Sequence, residues 1–381
     1  MRTALVFLAT FLCIGLSAQQ TNNFNLTNQE KSALFKAIEN DPEFASLVGD
    51  TSNAIKQYEH YKSEVIRWDS VWESDQQRLQ ITEDFGYTSK FELIPLIGHP
   101  YGNEALRKAE GVSFLIRTDS STILFDTGID DDSIKCVFRY NLDMLGIDIG
   151  EIDAVFISIN HADHQNNWKW IEDKTFVKPE NVNILPGLKI YVPMGRDARN
   201  LNITSIFTRN PRVTDLLDKL SNKINPIFSY YPVKVAEGVY TTGIIWAPKF
   251  IGSAVEQGLL FNVKDKGIII VSGCGHQPVE RLLLRCERIS DMPIYGVLGG
   301  FHFPVDNDSE RSRGFYITGK LPWEPFTADS VNKRIEFIKK RNLKLIGLST
   351  HDSSPIAVEA FKEAFSKEYK DLKTGEWIVV R

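Results

Sequence analysis

The sequence has few cysteines, no excess of basic residues and no long apolar run after its first residues. Four cysteines in 381 residues exclude a small fold held together by disulfides. The 44 Lys and Arg residues are outnumbered by 49 Asp and Glu, which argues against a nucleic-acid partner. A G-x-G-x-x-G loop, a Walker loop and an internal repeat are all missing. The hydrophobic content of 43% excludes a disordered chain, and the length suits one large domain or two ordinary ones.

Residues 1–18 are typical of a secretory signal peptide. Met1-Arg2 forms a short basic start, residues 4–16 are nearly all apolar, and a polar stretch begins at Ser17. The apolar run is too short for a comfortable membrane span, so cleavage after Ala18 is favoured over an uncleaved anchor. We therefore expect a periplasmic or secreted protein without a stable membrane span.

Cleavage there would leave three cysteines in the mature chain, namely Cys136, Cys274 and Cys286. An odd number in an oxidising compartment leaves at least one thiol outside any disulfide. A disulfide between Cys274 and Cys286 is one alternative. A metal-linked or simply buried Cys274 is the other, and the sequence does not decide between them.

Residues 19–88 are predicted to form a separate helical segment. Thr27-Asn28-Gln29-Glu30 is a capping-box pattern that opens a helix. After Pro42, large residues recur at helical spacing, and these are Ile55, Tyr58, Tyr61, Val65, Trp68 and Trp72. We expect these aromatic side chains to pack on the rest of the protein rather than to form a ligand surface.

Residues 89–381 are predicted to form one layered α/β (α+β) domain. Strand-like runs lie at residues 91–94, 112–116, 122–125, 154–157, 190–192, 259–263, 267–271 and 345–348. Helical stretches lie at residues 279–289, 330–341 and 355–365. Some strands follow one another directly and others alternate with helices, which indicates layers rather than a simple Rossmann alternation.

The segment with the clearest chemistry is the loop Asn160-His161-Ala162-Asp163-His164, which follows the strand-like run at residues 154–157. Imidazole and carboxylate groups are ligands of borderline metals such as zinc, and a loop at a strand end can direct them to one point. The structural alternative is a polar loop whose histidines bond to backbone.

Three further histidines also follow strand-like runs. His276 comes after Gly273-Cys274-Gly275, His302 after Gly299-Gly300-Phe301, and His351 after Ser349-Thr350. Any one of them alone would more often be structural. Because five of the seven histidines lie at strand ends, where open α/β folds build their sites, the set favours a metal site.

The segment from Phe91 to Val380 resembles the metallo-β-lactamase-fold hydrolases, and within them the branch of the archaeal dihydropterin (methanopterin-pathway) synthase-like proteins. The matching motifs run in chain order: Gly111 to Ile116, Ile123 to Gly128, Asn141, Leu145 to Asp148, Ile152-Asp153, His161 to His164, Ser272 to His276, Gly299 to His302 and Thr350 to Asp352. The resemblance implies a four-layer αβ/βα sandwich with an N-terminal helical extension. It also implies metals at one edge, between the two sheets.

The resemblance implies two metal sites that hold zinc, as one or two ions, with iron or manganese as alternatives. His161 and His276 would belong to the first site, and Asp163, His164 and His351 to the second, with Cys274 as a further possible ligand. Asp126 would orient the ligand loop through hydrogen bonds.

Two residues carry the catalytic role that the resemblance implies. Asp163 would bind the metal and also orient an activated water molecule. His302 would contact either the substrate or the metal, and it would help to stabilise a developing oxyanion.

The sequence departs from the family pattern at three positions. Ile159 stands where the family has the first histidine of its loop, and Asn166 and Asn167 replace two glycines. Because an isoleucine cannot bind a metal, the first site lacks one of its three protein ligands, while the second keeps its full set. We therefore expect the second site to be occupied and the first to be weak, empty or remodelled.

The function expected from these residues is that of an exported metal-dependent hydrolase. Its substrate would be a small-molecule ester, lactone, amide or phosphodiester. Two alternatives are a degenerate member of the fold that binds a ligand without catalysis and an iron-dependent redox enzyme on the same fold. No pattern in the chain indicates the substrate or the oligomeric state.

Overall fold

The computed structural model describes residues 25–74, 84–98, 100–130, 136–193, 226–248, 253–305, 326–351 and 353–381, with the single residues 81, 224, 250 and 323. The predicted signal peptide, His99 and Asp352 lie outside the described residues. Within the part of the chain that the structure describes, we find no helix with both the length and the apolar character of a membrane span.

The described residues of the N-terminal segment contain three helices: α1 (Asn28–Asn40), α2 (Pro42–Val48) and α3 (Thr51–Ser74). The predicted capping box is confirmed, because the Thr27 hydroxyl accepts a hydrogen bond from the Glu30 N–H at 3.2 Å and the Glu30 carboxylate accepts one from the Thr27 N–H at 2.8 Å. The Trp68 ring of α3 stacks on Trp246 with ring centroids 3.8 Å apart. The expectation that these aromatic residues pack on the rest of the protein is therefore confirmed.

The described strands, numbered in chain order, form two large sheets and one hairpin. The first sheet contains β1 (Phe91–Ile97), β2 (Ser113–Arg117), β3 (Thr122–Phe125), β4 (Ala154–Phe156), β5 (Lys189–Val192), β6 (Pro226–Phe228) and β15 (Ile378–Val380), in the order β15-β1-β2-β3-β4-β5-β6. The second contains β7 (Lys234–Ala236), β8 (Val239–Thr241), β11 (Leu259–Val263), β12 (Gly267–Ser272), β13 (Ile294–Gly299) and β14 (Leu345–Leu348), in the order β14-β13-β12-β11-β8-β7. The antiparallel hairpin is β9 (Ile245–Pro248) with β10 (Ser253–Glu256).

The helices that follow α3 within the described residues are α4 (Val137–Met144), α5 (Ala162–Gln165), α6 (Lys169–Glu172), α7 (Val279–Ile289), α8 (Ala328–Lys339) and α9 (Pro355–Ala364). Every strand and helix predicted in residues 89–381 is present, with slightly different bounds. The prediction missed β6 to β10 and β15, because strands of three or four residues are too short to show a period. The strand β13 was indicated only by the strand-like run before His302.

Successive residues along a strand face opposite sides of the sheet, so they enter two different apolar clusters. Phe125 and Phe156 pair in the parallel register of β3 and β4 and face the second sheet, where they join a cluster with Phe261 and Ile269. The opposite faces of the two sheets bury separate clusters, one against α4 and one against α7, α8 and α9. Both faces of each sheet are thus covered, which explains the continuous apolar runs of the sequence. The predicted four-layer αβ/βα sandwich is confirmed.

Parallel strands in both sheets bring the polar loops to one edge of the sandwich. β3, β4 and β5 are parallel in the first sheet, and β12, β13 and β14 are parallel in the second. The loops at their carboxyl ends contact each other at Gly273, where a Cβ atom would overlap the Ser158 hydroxyl. A glycine at this position therefore lets the loop after β12 approach the loop after β4.

Candidate metal centre

The ligand loop of the first sheet is a single helical turn. His161 precedes α5, and Asp163 and His164 lie within it. The turn ends at Asn166 and Asn167, whose φ angles are 51° and 49°. Asparagine tolerates this left-handed conformation better than other residues with a side chain. The two asparagines therefore preserve backbone angles that favour glycine, which explains how they replace the two glycines of the family pattern.

His164 is oriented by the buried carboxylate of Asp126. The Asp126 Oδ2 atom lies 2.8 Å from His164 Nδ1, and Asp126 also accepts hydrogen bonds from the Ser158 N–H at 2.7 Å and the Ser158 hydroxyl at 2.6 Å. An ionised Asp126 only accepts hydrogen bonds, so in the neutral imidazole of His164 the Nδ1 atom carries the proton and Nε2 presents a lone pair. Within the described residues, the buried Nε2 atom has no hydrogen-bond partner. This arrangement suits a metal ligand.

Opposite charges at the same loop stabilise each other. Burial disfavours the imidazolium form of His164, but the carboxylates of Asp163 and Asp126 outweigh it and raise the pKa of His164. Burial likewise opposes ionisation of Asp163, but His164 and His351 hold the pKa of Asp163 below its usual value. Asp163 is therefore held as a carboxylate, the form that binds a cation.

His351 reaches this loop from the end of β14. Its Nε2 atom lies 2.9 Å from the Asp163 Oδ2 atom, which is also 3.8 Å from His164 Nε2. The possible ligand atoms of His164, His351 and Cys274 all lie within 4.8 Å of one another. We call Asp163, His164, His351 and Cys274 the second group. The first three are the residues that the resemblance assigns to the second site, and Cys274 is the further possible ligand.

A first group consists of His161, Cys274 and His276, whose possible ligand atoms also lie within 4.8 Å of one another. The rings of His161 and His276 are nearly perpendicular, with centroids 4.8 Å apart. Cys274 Sγ lies 3.6 Å from His276 Nε2. Cys274 belongs to both groups, so its thiol lies between the two candidate metal positions.

The three described cysteines, Cys136, Cys274 and Cys286, form no disulfide. The alternative of a Cys274–Cys286 disulfide is therefore wrong. Cys274 follows the end of β12 at the site edge, whereas Cys286 lies on α7 and packs in the apolar cluster on the outer face of the second sheet.

Ile159 occupies an apolar contact beside the first group. It is 1% exposed and packs with Ala247, Ala254 and Cys274. Its backbone forms an isolated antiparallel bridge to Glu256 at the end of β10. The position where the family has a histidine is thus built into contacts with the β9–β10 hairpin.

His302 lies against the first group. Its Nδ1 atom is 3.5 Å from Cys274 Sγ, and its ring lies 4.1 Å from that of His276, measured between centroids. Its φ angle of 51° follows the turn through Gly299 and Gly300. The fold therefore brings His302 to the two candidate ligands Cys274 and His276.

Glu256 is a site residue that the sequence analysis missed. Its carboxylate is buried at the end of β10 and accepts a hydrogen bond from the His276 N–H at 3.0 Å and another from His276 Nδ1. The Gln277 N–H donates a longer bond of 3.4 Å. The only signal in the sequence is an acidic residue shortly before the apolar run Leu259 to Val263.

The chain is similar to known proteins in sequence and in fold. Residues 107–226 match the family model of the metallo-beta-lactamase superfamily. Over 307 residues the chain is 27% identical to the 7,8-dihydropterin-6-methyl-4-(beta-D-ribofuranosyl)-aminobenzene-5'-phosphate synthase of Methanocaldococcus jannaschii, which covers 72% of this chain and 92% of that protein. The structure of Tm1679, a metal-dependent hydrolase of the beta-lactamase superfamily, matches with a TM-score of 0.53 at 19% identity and covers 76% of this chain and 98% of that one. The resemblance seen in the motifs is confirmed: the chain is similar to the metallo-β-lactamase superfamily in residues 107–226 and shares its fold.

Proposed function

We propose that the protein is an exported metal-dependent hydrolase whose centre is the first and second groups joined by Cys274. The observation that supports this proposal is the convergence of six possible ligands, from three loops of the two sheets, within short distances. These ligands are His161, Asp163, His164, Cys274, His276 and His351.

The residues fit a metal ion. His164 presents a buried Nε2 lone pair without a hydrogen-bond partner in the described part of the chain, and a buried carboxylate fixes its other nitrogen. Imidazole, thiolate and carboxylate together favour zinc, with iron or manganese as alternatives. The chemistry that such an ion supplies is activation of a water molecule near neutral pH and polarisation of a carbonyl or phosphoryl oxygen.

The side chains of the chain divide the remaining work. Asp163 is held as a carboxylate by His164 and His351, so it can orient a water molecule as well as bind the ion. His302, beside Cys274 and His276, is placed to donate a hydrogen bond to a developing oxyanion. The substrate class that this arrangement serves is an ester, lactone, amide or phosphodiester.

The name of the archaeal relative supports a second candidate function. That protein is a synthase, and its similarity extends over 72% of this chain. The same centre would then catalyse a synthase reaction on a small molecule. A degenerate, ligand-binding protein and an iron-dependent redox enzyme stay as alternatives that the same experiment separates.

The test is metal quantification of the purified mature chain, coupled to assays on ester, lactone, amide and phosphodiester substrates. We expect bound zinc and turnover of one of these substrate classes. Both should be lost in His351→Ala. Both should be retained in the control His60→Ala, which changes an exposed histidine on α3. Bound zinc without hydrolysis would favour the synthase or ligand-binding function. Iron and a coloured protein would favour redox chemistry, and a protein that binds no metal would contradict the proposal.

The proposed export depends on the signal-peptide pattern of residues 1–18. We expect fractionation of cells that express the full chain to place a shortened product outside the cytoplasm. Deletion of residues 2–18 should retain it inside, and an uncleaved chain in the cytoplasm would contradict export.

A further inference from the structure

Two histidines of the candidate centre are each bonded to a buried carboxylate. His164 pairs with Asp126 through Nδ1, and His276 pairs with Glu256 through Nδ1. The first pair joins the ends of β3 and β4. The second joins the end of β12 to a hairpin that belongs to neither sheet. The candidate centre thus contains two histidine–carboxylate pairs, and their carboxylates lie on two different structural elements, the first sheet and the β9–β10 hairpin.

The Glu256 carboxylate accepts hydrogen bonds from His276 and from the next residue, Gln277. Its side chain and that of His276 are each 2% exposed. A buried carboxylate is costly unless hydrogen bonds satisfy it, and here the donors include His276 N–H, His276 Nδ1 and Gln277 N–H. Both the backbone and the ring of His276 are therefore fixed by the same carboxylate.

This hydrogen bond determines which nitrogen of His276 is available to a metal. An ionised carboxylate accepts, so Nδ1 carries the proton and Nε2 presents its lone pair. That Nε2 atom lies 3.6 Å from Cys274 Sγ, inside the first group. The tautomer that Glu256 selects is the one that the first group needs.

The backbone holds Glu256 in place from the side of the ligand loop. Glu256 forms the antiparallel bridge with Ile159. The adjacent Gln257 donates from its backbone N–H to the Ser158 carbonyl at 2.9 Å and from Nε2 to the Ile157 carbonyl at 2.8 Å. Ile159, which stands where the family has a ligand histidine, is therefore paired through its backbone with Glu256, which orients the candidate ligand His276.

We propose that Glu256 is a positioning residue that fixes the tautomer and orientation of His276, and so keeps the first group able to bind a metal although Ile159 has replaced a histidine. The inference rests on the proposed metal centre. It assigns a role to the β9–β10 hairpin, which presents Glu256 to the edge where the two sheets meet.

The experiment measures the tautomer and the metal affinity separately. Long-range ¹H–¹⁵N spectra of metal-free protein labelled at histidine report the tautomer, and titration with Co²⁺ reports stoichiometry and affinity. In Glu256→Ala we expect His276 to lose its single tautomer and the first-group ion to bind roughly 10- to 100-fold more weakly. His161→Ala identifies that ion because it removes a ligand of the first group only.

Three variants serve as comparisons. Glu256→Gln keeps an acceptor oxygen for Nδ1 and should restore most of the tautomer and affinity. Asp126→Ala should weaken the second-group ion instead. Glu336→Ala, which removes an exposed carboxylate from α8, should change neither ion.

The outcomes separate this inference from the proposed function. Wild-type tautomer and wild-type affinity in Glu256→Ala would overturn the role of Glu256 and leave the metal centre standing. A wild-type protein that binds no Co²⁺ would overturn both. Should Glu256→Ala fail to fold, Glu256→Asp replaces it, because the shorter side chain keeps the charge but withdraws it from His276. Unchanged affinity in Glu256→Asp would then contradict the proposal.

Discussion

The two ligand groups use the same carboxylate–histidine pairing but differ in what supports it. In the second group, Asp126 lies at the end of a central strand and is bonded three times, twice by Ser158 and once by His164. In the first group, Glu256 lies on a hairpin outside both sheets. The carboxylate of one group is thus held at a sheet edge, whereas the carboxylate of the other is presented by an added hairpin.

The groups also differ in their ligands. The second has a carboxylate, two imidazoles and the shared thiol, whereas the first has two imidazoles and the shared thiol beside the apolar Ile159. Catalytic zinc commonly has three protein ligands and a water molecule. We therefore expect both groups to bind an ion, with the second group binding more tightly.

The largest effect is expected from His164→Ala, which should abolish activity and remove the second-group ion. The change deletes a ligand and also leaves Asp126 buried without its imidazole donor, at a cost of about 1–3 kcal/mol in the free energy of unfolding. Metal analysis, turnover assays and urea denaturation measure the three effects. His60→Ala is the matched control, and retained activity in His164→Ala would refute the assignment.

Cys274→Ser should weaken both groups together, since the thiol lies between them. We expect each affinity to fall by more than the roughly 10- to 100-fold that loss of an orienting residue costs. Cys286→Ala is the matched control, because burial raises the pKa of the Cys286 thiol and keeps it protonated in the core. Co²⁺ spectra should lose their thiolate absorption in Cys274→Ser only. A loss confined to one ion would show that the thiol is not shared.

Ile159→His tests whether the difference between the groups comes from the missing imidazole. We expect the first group to bind its ion more tightly and the protein to lose about 1–3 kcal/mol of stability, because a polar ring replaces contacts with Ala247 and Ala254. Metal titration and thermal melting measure both effects. Ile159→Val, which removes only a methylene group, should change stability by about 0.5–1.5 kcal/mol and leave metal affinity unchanged.

The activity of Ile159→His adds a second result. A rise would indicate that the natural chain has lost efficiency at the first group, whereas a fall would indicate a centre specialised for the isoleucine. Unchanged metal affinity would mean that the missing histidine does not explain the difference between the groups.

The smallest effect is expected from Trp68→Leu, which acts on the support of the hairpin. The stacking of Trp68 on Trp246 links α3 to β9. Its loss should lower the free energy of unfolding by about 0.5–1.5 kcal/mol, in addition to the effect of the lost buried area. We expect the first-group affinity to fall less than tenfold and the second-group affinity to stay constant. Trp377→Leu, at a more exposed tryptophan, is the control. An equal loss at both groups would show that the hairpin does not act on the first group alone.

The sequence allowed the main strands and most of the candidate site to be predicted. Runs such as residues 267–271 are apolar throughout because both faces of the sheet are buried, so they are visible without a structure. The histidines at strand ends were found because parallel strands end at a common edge. The β9–β10 hairpin was not predicted, because its strands have only four residues each. Its contact with the ligand loop, at Ile159, is also far away in the sequence.

The sequence by itself determined the layered fold, the ligand types and the absence of a histidine at position 159, because these follow from apolar periodicity and residue identity. Only the tertiary structure decided that Cys274 lies between two groups and forms no disulfide with Cys286. It also decided that Glu256 bonds to His276, 20 residues away. These contacts join loops from different strands, and their geometry depends on the packing of the sheets, which no local pattern encodes.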